Sequence, residues 1–476
     1  MSYLSASDLE PGRRVVALHP LTPDTLAAWK SAASPIQRAW IEDSGFRARP
    51  GQRCAVPGTT GGVEAWLFGR EKEGWLYQLA SLPTELPEGV YRLESDWSRG
   101  QRAQAALGWG LAAYRFDRYK KSNGHLNGHG NGPPNGQANG AARASLVLDA
   151  DVDDEVRALL AAQTLVRDLV NTPTEHLGPA ELADAVTREA DAFDAESDVI
   201  TGDQLLTQNF PAIHAVGRAS SRPPLLVELR WGEAEAPLVA LVGKGVCFDT
   251  GGLDLKTSSG MALMKKDMGG AAHALALARL VMQHDLPVRL LLLIPAVENS
   301  VSGNAYRPGD VIDTRKGLSV EIGNTDAEGR VILSDALAYA CEHLPDLVID
   351  FATLTGAARV ALGPDLPPIF SNRAEVAQAI QQAGDDVEDP LWTMPLWQPY
   401  RRQFDSPIAD LNNSAKSSYG GCITAALFLE SFVEQNVPWV HIDTFAWNEA
   451  NRPGRPMGGE ALGLRAVFRY LRGRYA

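Results

Sequence analysis

Two carboxylates and a guanidinium lie close together in the segment Gly323-Asn-Thr-Asp-Ala-Glu-Gly-Arg330. Asp326 and Glu328 are two residues apart, and Arg330 follows two residues later. If the segment is extended, alternate side chains share one face of the chain, so we expect all three to point into one cavity. Two crowded carboxylates repel each other unless a cation lies between them, and the spacing therefore suggests a metal site.

Further acidic residues lie next to predicted strands and helices. The apolar run Leu238–Val242 leads into a glycine-rich segment that holds Lys244 and Asp249, and the glycines would let these two side chains approach a common centre. This segment is not a dinucleotide fingerprint, because Phe248 occupies the third glycine position. Asp267 precedes a helix rich in small residues, where a carboxylate could also serve only as a helix cap.

The acidic residues together form a donor set. Three predicted strand-to-helix connections contribute its members, Asp249, Asp267, Asp326 and Glu328. Carboxylates without histidine or cysteine favour hard or borderline divalent cations, and four are enough for two ions if some of them bridge. Lys244 and Lys256 add positive charge nearby, and one of the two could act as an amine ligand.

The elements that would position this set alternate along the chain after Asn171. Strand-like apolar runs cover Leu238–Val242, Val288–Ile294, Leu347–Phe351 and Trp439–Ile442, and helical patterns cover Gly269–His284, Arg330–His343, Ala374–Ala383 and Ile423–Gln435. Apolar strands that alternate with helices predict an α/β fold with a mostly parallel, helix-covered mixed sheet. Functional groups collect at the carboxyl ends of the strands in such a sheet.

The length of 476 residues predicts more than one domain. Residues 1–151 are predicted to form a small N-terminal α/β accessory domain, which includes a helical segment near Ser98–Tyr119. Residues 152–476 are predicted to form the larger domain, preceded by a linking helix over residues 153–170.

A segment of different composition interrupts the N-terminal domain. The dipeptide Asn-Gly recurs five times between Asn123 and Gly140. Because these residues cannot bury apolar surface, we expect 122–142 to be a flexible loop. His125 and His129 lie in this loop, and we interpret them as solvated residues instead of metal ligands.

Composition and charge exclude several classes of function. The chain has 44 basic and 58 acidic residues, and the net charge of −14 disfavours binding to nucleic acid or to anionic lipid. The longest apolar candidate, Val288–Val297, is too short to span a membrane. The first ten residues lack the features of a secretory signal, and the four cysteines are scattered. We therefore expect a cytoplasmic protein with reduced thiols.

Several motifs resemble those of the leucine (cytosol) aminopeptidase family. Three blocks, Val242–Lys256, Met264–Ala272 and Asn324–Arg330, are similar to the active-site blocks of that family, and Ala352–Ala357 and Asn171–Pro173 also match. The resemblance covers the chain from about Asn171 to the C-terminus. It implies a two-metal aminopeptidase that removes the N-terminal residue of peptides with metal-activated water, usually as a homohexamer with Zn²⁺, Mn²⁺ or Mg²⁺. The larger domain would then be the catalytic domain.

The resemblance also implies a role for each matching residue. One ion would be held by Asp249, Asp326 and Glu328, and the other by Lys244, Asp249, Asp267 and Glu328. Lys256 resembles the charged electrophile beside the scissile carbonyl, and Arg330 resembles the residue that binds a bicarbonate ion. The walls of the substrate pocket would include Met264, Thr353, Leu354 and Gly356.

One position departs from the pattern of the family. Phe445 stands where a small residue often lines the side-chain pocket. A phenyl ring in the pocket wall would exclude bulky leading residues or force the wall outward. We therefore expect a preference for a leading side chain that is smaller than leucine or of another kind.

Two other functions remain open at this point. A dedicated dipeptidase, for example one that acts on cysteinylglycine, would use the same residues. Some relatives also act as DNA-binding accessory factors, although the net charge of −14 and the absence of a basic stripe speak against that role here.

Overall fold

The computed structural model describes residues 2–59, 61–120 and 144–476. The segment 122–142, for which a flexible loop with His125 and His129 is predicted, lies outside the described residues. The chain divides into two compact units, a first unit of residues 1–164 and 450–456 and a second unit of residues 165–449 and 457–476. The domain boundary expected at residue 151 stays a prediction.

The first unit is built around one sheet. In chain order its elements are β1 (Tyr3–Ser5), β2 (Val15–Leu21), α1 (Pro23–Ala32), α2 (Pro35–Asp43), β3 (Arg53–Pro57), β4 (Val63–Gly69), α3 (Leu82–Glu85), β5 (Gly89–Leu93), α4 (Arg99–Ala113), β6 (Ala144–Leu148) and α5 (Asp153–Asn171), the last of which continues into the second unit. The strand order is β1-β6-β5-β2-β4-β3, and every pair is parallel except β3 with β4. The helix predicted near Ser98–Tyr119 ends at Ala113, because Tyr114 has an extended backbone.

The second unit contains the remaining elements. They are α6 (Pro179–Ala192), β7 (Glu196–Thr201), α7 (Gln204–Thr207), α8 (Pro211–Gly217), β8 (Leu225–Trp231), β9 (Leu238–Gly243), β10 (Gly245–Asp249), α9 (Ser258–Met261), α10 (Gly269–Gln283), β11 (Arg289–Asn299), β12 (Val311–Asp313), β13 (Ser319–Glu321), α11 (Glu328–Glu342), β14 (Leu347–Ala352), α12 (Gly356–Leu362), β15 (Pro368–Ser371), α13 (Ala374–Asp386), β16 (Trp392–Thr393), β17 (Leu411–Asn412), α14 (Gly421–Glu430), β18 (Trp439–Asp443), β19 (Trp447–Asn448), β20 (Gly458–Gly459) and α15 (Leu464–Tyr475).

The main sheet of the second unit is mixed, with a parallel centre. Its strand order is β16-β15-β18-β14-β9-β11-β8-β7, and β10 pairs with the C-terminal half of β11. The neighbours β18, β14, β9 and β11 are parallel, whereas β15, β8 and β7 pair antiparallel towards the edges. The predicted α/β class, with a smaller N-terminal and a larger helix-covered unit, is confirmed.

Burial explains the continuous apolar runs of the sequence. Every residue of β9, β14 and β18 is buried, because helices cover both faces of these central strands. All four cysteines are buried and unpaired. Across the described part of the chain, no helix combines the length and the hydropathy needed to cross a membrane.

Helix α10 approaches the sheet closely through two glycines. A methyl group built on Gly270 would lie 2.1 Å from the backbone oxygen of Phe351 on β14. One built on Gly243, at the end of β9, would lie 2.6 Å from the Cα atom of Ala271. The amide of Ala271 donates to the carbonyl of Lys244 at 2.9 Å. The start of α10 is therefore fixed directly above the carboxyl ends of β9 and β14.

The close approach predicts the effect of a single methyl group. Replacing Gly270→Ala should lower the free energy of unfolding of the second unit by about 1–3 kcal/mol, because the helix must move away from a rigid backbone carbonyl. The matched control is Gly473→Ala in α15, where an added methyl group meets nothing within 4 Å. Thermal and urea unfolding of both variants would measure the difference, and equal midpoints would contradict the packing argument.

Candidate metal centre and substrate cavity

The predicted donor residues lie on four connections at one edge of the main sheet. Lys244 joins β9 to β10, and Asp249 is the last residue of β10. Asp267 lies two residues before α10, and Asp326 lies in the turn that leads to Glu328, the first residue of α11. The connections follow the carboxyl ends of parallel strands, or precede the helices packed on them, so the fold brings distant parts of the sequence to one place.

Three of these carboxylates form a compact cluster. One oxygen each from Asp249, Asp326 and Glu328 lies within 4.8 Å of the other two. Asp249 and Glu328 are buried, whereas Asp326 is partly exposed. These three residues are the set that the family resemblance implies for one ion, and the cluster has the size that a single divalent cation requires.

Two lysines connect the cluster to the other donor residues. The ammonium of Lys244 donates to Asp267 Oδ2 at 2.8 Å and to the carbonyl of Thr353 at 3.0 Å, and it lies 2.9 Å from Glu328 Oε1. The ammonium of Lys256 lies 2.8 Å from Asp249 Oδ2 and also pairs with Asp326. All five residues expected to bind metal, together with Lys256, therefore belong to one connected group.

Burial and neighbouring charges shift the pKa values of the residues in this group. Burial, reinforced by the charge of Asp267, raises the pKa of Asp249 to about 6. Burial and the charge of Asp249 raise the pKa of Glu328 to about 8, although Lys244 opposes the shift. Burial alone would lower the pKa of Lys244, but the neighbouring carboxylates raise it above its usual range. The two lysines thus neutralise the carboxylates only in part, and further positive charge would stabilise them.

The donor atoms fit a divalent cation. The second carboxylate oxygen of Glu328, Oε2, is buried without a hydrogen-bond partner among the described residues. Such an atom is costly unless a cation or a donor reaches it. The donors are carboxylate oxygens and one amine, a combination that accepts Zn²⁺, Mn²⁺ and Mg²⁺.

One residue of the site was missed in the sequence. Asn299, the last residue of β11, donates from Nδ2 to Asp249 Oδ1 at 2.8 Å and to the carbonyl of Thr325 at 3.0 Å. The amide of Gly251 donates to the same oxygen of Asp249. These hydrogen bonds to Oδ1 also fix the direction in which the other carboxylate oxygen of Asp249, Oδ2, points. Asn299 ends a strand of the main sheet, and the strand-end rule could have singled it out.

The segment that first suggested a metal site is not extended. Asn324 Oδ1 accepts a hydrogen bond from the amide of Asp326 at 2.8 Å, and α11 begins at Glu328. A turn followed by the first residue of a helix therefore brings Asp326 and Glu328 together. The assumption of an extended segment was wrong, because a short polar side chain stabilises a turn instead. The expected outcome holds, since Asp326, Glu328 and Arg330 all line one cavity.

Arg330 consequently has different neighbours from the two acids. Its Nη1 donates to the carbonyl of Asn413 at 2.9 Å, and its guanidinium carbon lies 6.0 Å from the ring centroid of Phe428. Burial lowers the pKa of Arg330 to about 10. Its Nε is buried without a hydrogen-bond partner among the described residues. The guanidinium therefore retains capacity to bind an anion.

A cavity of about 790 Å³ is lined in part by the carboxylate cluster. All the residues expected in the pocket wall line it, namely Met264, Thr353, Leu354, Gly356 and Phe445. Two cationic residues that the sequence did not single out, Lys266 and Arg359, also line the cavity. The cavity is large enough for the first residues of a peptide, with the carboxylate cluster in its wall.

Comparison with known families identifies both parts of the chain. The model described as "Cytosol aminopeptidase family, catalytic domain" matches residues 164–468. The model described as "M17 aminopeptidase, N-terminal domain" matches residues 16–127. The family resemblance of the motifs is thus confirmed for the region from about Asn171 to the C-terminus, and a further match covers the N-terminal region.

Relatives and solved structures agree with these matches. A protein of Roseiflexus castenholzii named "Probable cytosol aminopeptidase" is 41% identical over 320 residues, which cover 66% of this chain and 65% of the relative. A protein of Syntrophotalea carbinolica with the same name is 40% identical over 76% of this chain and 73% of its own length.

Two solved structures resemble the whole chain. The crystal structure of cytosol aminopeptidase from Coxiella burnetii superimposes with a TM-score of 0.92, at 47% identity and over 100% of both chains. The bottromycin maturation enzyme BotP in complex with Mn has a TM-score of 0.83 at 32% identity, over 96% of this chain and 99% of BotP.

The role of Asn299 can be tested through metal affinity. We expect Asn299→Ala to weaken Mn²⁺ binding by about 10- to 100-fold, because the carboxylate of Asp249 loses the donor that orients it. Asn304→Ala replaces an exposed asparagine and serves as the control. Isothermal titration of chelator-stripped protein would measure both affinities, and the same affinity in the two variants would exclude an orienting role for Asn299.

Proposed function

The chain belongs to the cytosol aminopeptidase family, and on this premise we propose that it is a metal-dependent aminopeptidase that hydrolyses the first peptide bond of peptides. The observation that carries the proposal is the convergence of Lys244, Asp249, Asp267, Asp326 and Glu328 at one cavity. These residues come from four connections of the second unit, and their donor atoms form the connected group described above.

Two divalent ions per chain would complete the centre. We propose that Asp249, Asp326 and Glu328 would hold one ion and that Lys244, Asp249, Asp267 and Glu328 would hold the other, so that Asp249 and Glu328 would serve both. Zn²⁺, Mn²⁺ and Mg²⁺ all suit such donors. When bound, the ions would lower the pKa of water enough to supply hydroxide near neutral pH and would polarise the scissile carbonyl.

Lys256 is assigned the stabilisation of developing negative charge. Its side chain lies between the buried cluster and the cavity, with 16% of its surface exposed. Burial would lower the pKa of Lys256, but the carboxylate of Asp249 raises it above its usual range, so the side chain stays cationic near neutral pH. A fixed ammonium at the rim of the cluster can stabilise an oxyanion that forms on the substrate carbonyl.

Arg330 is assigned the binding of a bicarbonate ion. The unpartnered Nε and the burial of its guanidinium support an anion as the missing partner. A bicarbonate oxygen held there would provide a base for the attacking water. Lys256 would thus stabilise the oxyanion, and Arg330 would hold the bicarbonate that accepts the proton.

The pocket for the leading side chain is assigned to Met264, Thr353, Leu354, Gly356 and Phe445. Gly356 leaves open space, since a methyl group built on it meets nothing within 4 Å. The resemblance to the family further suggests a homohexamer in the cytoplasm. The net charge of −14 gives no reason to expect nucleic acid as a partner.

Removal and return of metal tests the proposed reaction. We expect a chelator to abolish hydrolysis of leucyl-p-nitroanilide and Mn²⁺ or Zn²⁺ to restore it, because the attacking water depends on the ions. Asp326→Asn should lower kcat by about 10³-fold or more even after metal is returned, whereas Asp313→Asn, at an exposed acid of β12, should not. Full activity of chelated, metal-free protein would rule the mechanism out.

The same assay on peptides of increasing length separates a general exopeptidase from a dedicated dipeptidase. We propose that the rate persists beyond two residues, because the cavity of about 790 Å³ is large enough for more than a dipeptide. A rate confined to dipeptides such as cysteinylglycine would favour the narrower function.

Phe445 offers a test of the pocket wall. In Phe445→Ala, we expect the ratio of kcat/KM for leucyl over alanyl substrates to rise by about tenfold or more, because a phenyl ring no longer fills space that a larger side chain could use. Trp40→Ala removes an exposed aromatic ring from the first unit and is the control. An unchanged leucine-to-alanine ratio in Phe445→Ala would show that Phe445 does not limit the pocket.

A further inference from the structure

The ring of Phe445 lies between charged neighbours in the wall of the substrate cavity. The ammonium of Lys266 lies 4.9 Å from the ring centroid, and the guanidinium carbon of Arg359 lies 4.6 Å from it. Both cationic residues line the cavity. An aromatic face attracts cations weakly, so the ring holds the two charges in place without neutralising them.

Lys266 is an unusual residue for such a position. Its side chain is buried, with only 6% of the residue exposed. Within the described ranges, its ammonium makes no hydrogen bond and no ion pair. Lysines are rarely buried without a partner, because an ammonium removed from water needs compensating negative charge. The buried ammonium of Lys266 therefore lacks the counter-ion that would compensate its charge.

The carboxylates closest to Lys266 are bound to other groups. Asp267 accepts hydrogen bonds from Lys244 and from the hydroxyl of Thr353. Asp443 accepts from the amides of Leu354 and Thr355 and from the hydroxyl of Thr355. Neither acid pairs directly with Lys266, so the charge of its ammonium is available to a group that enters the cavity.

Arg359 adds a second available charge beside the same ring of Phe445. It lies on α12, which begins at Gly356, and its side chain is exposed. Its guanidinium makes no ion pair with any described residue. A guanidinium can bind a carboxylate with two parallel hydrogen bonds, which an ammonium cannot do. The two residues thus offer a buried charge and a directional donor around one aromatic ring.

We propose that Lys266 and Arg359 make the side-chain pocket selective for peptides whose leading residue is aspartate or glutamate. The inference rests on the proposed aminopeptidase function, whose substrate cavity both residues line. The proposal also gives a second role to Phe445, which stands where the family often has a small residue. Its ring contacts the two cations as well as narrowing the pocket. A leading lysine or arginine should be rejected, since it would bring like charge to an uncompensated site.

An isosteric pair of substrates tests the proposal without any variant. Glutamyl- and glutaminyl-p-nitroanilide differ in charge but hardly in shape. For the Mn²⁺-loaded wild type, we expect kcat/KM to be higher for the glutamyl substrate by about tenfold or more. Raising the ionic strength from about 0.05 M to about 0.5 M should reduce this ratio, because salt screens the attraction between the substrate carboxylate and the exposed guanidinium of Arg359.

Variants then assign the selectivity to its residues. We expect Arg359→Gln to reduce the glutamyl-to-glutaminyl ratio and Arg359→Glu to favour lysyl over glutamyl substrates, while Lys266→Met reduces the ratio further. Arg402→Gln, at an exposed arginine that does not line the cavity, should leave the ratio unchanged. Arg359 is exposed, so its variants test the proposal even if Lys266→Met fails to fold.

The outcomes separate this inference from the function on which it rests. If the metal-loaded wild type hydrolysed no aminoacyl substrate, the proposed function itself would fail. If it hydrolysed leucyl and glutaminyl substrates with a glutamyl-to-glutaminyl ratio of one or less, only the acidic preference would be overturned. A ratio above one that did not change in either Arg359 variant or in Lys266→Met would place the selectivity elsewhere.

Discussion

Mutual repulsion among buried carboxylates is the constraint around which the second unit is organised. Asp249, Asp326 and Glu328 lie close together, and the buried Asp267 joins them through the ammonium of Lys244. Lys244 and Lys256 supply positive charge, but burial, reinforced by the neighbouring carboxylates, still raises the pKa values of Asp249 and Glu328. A folded chain accepts such a cluster when cations bind it, because those cations then stabilise both the fold and the site.

The sheet and helix α10 make this concentration of charge geometrically possible. Gly243 and Gly270 let the helix approach the backbone of β9 and β14, and the carbonyl of Lys244 accepts a hydrogen bond from the first turn of α10. The same contact places Asp267 beside the ammonium of Lys244. Small residues at the helix start are thus needed for the metal site, although their side chains supply no donor atom.

The sequence allowed the main features of this arrangement to be predicted because they follow from general rules. Fully apolar runs revealed buried parallel strands, and the rule that function collects at strand ends selected Asp249 and its partners. The extended interpretation of residues 323–330 was wrong, because the hydrogen bond from the amide of Asp326 to Asn324 stabilises a turn. Whether a side-chain hydrogen bond stabilises a turn in place of an extended backbone depends on side-chain geometry, which the periodicity of the sequence does not reveal.

Other features could not be predicted from single residues. Asn299 carries no motif, and its role depends on β11 ending beside Asp249. Lys266 and Arg359 are 93 positions apart in the sequence, and only the fold places both against the ring of Phe445. The burial of Lys266 and the lack of ion pairs at both residues, which suggest a carboxylate-bearing substrate, are properties of the folded chain. Residue types alone would have placed both among ordinary surface charges.

The most direct test of the central claim is crystallography of the Mn²⁺-soaked protein with anomalous scattering. The account predicts two anomalous peaks per chain, one among Asp249, Asp326 and Glu328 and the other among Lys244, Asp249, Asp267 and Glu328. Absence of any peak at these carboxylates in crystals of active protein, or peaks only at other residues, would contradict it.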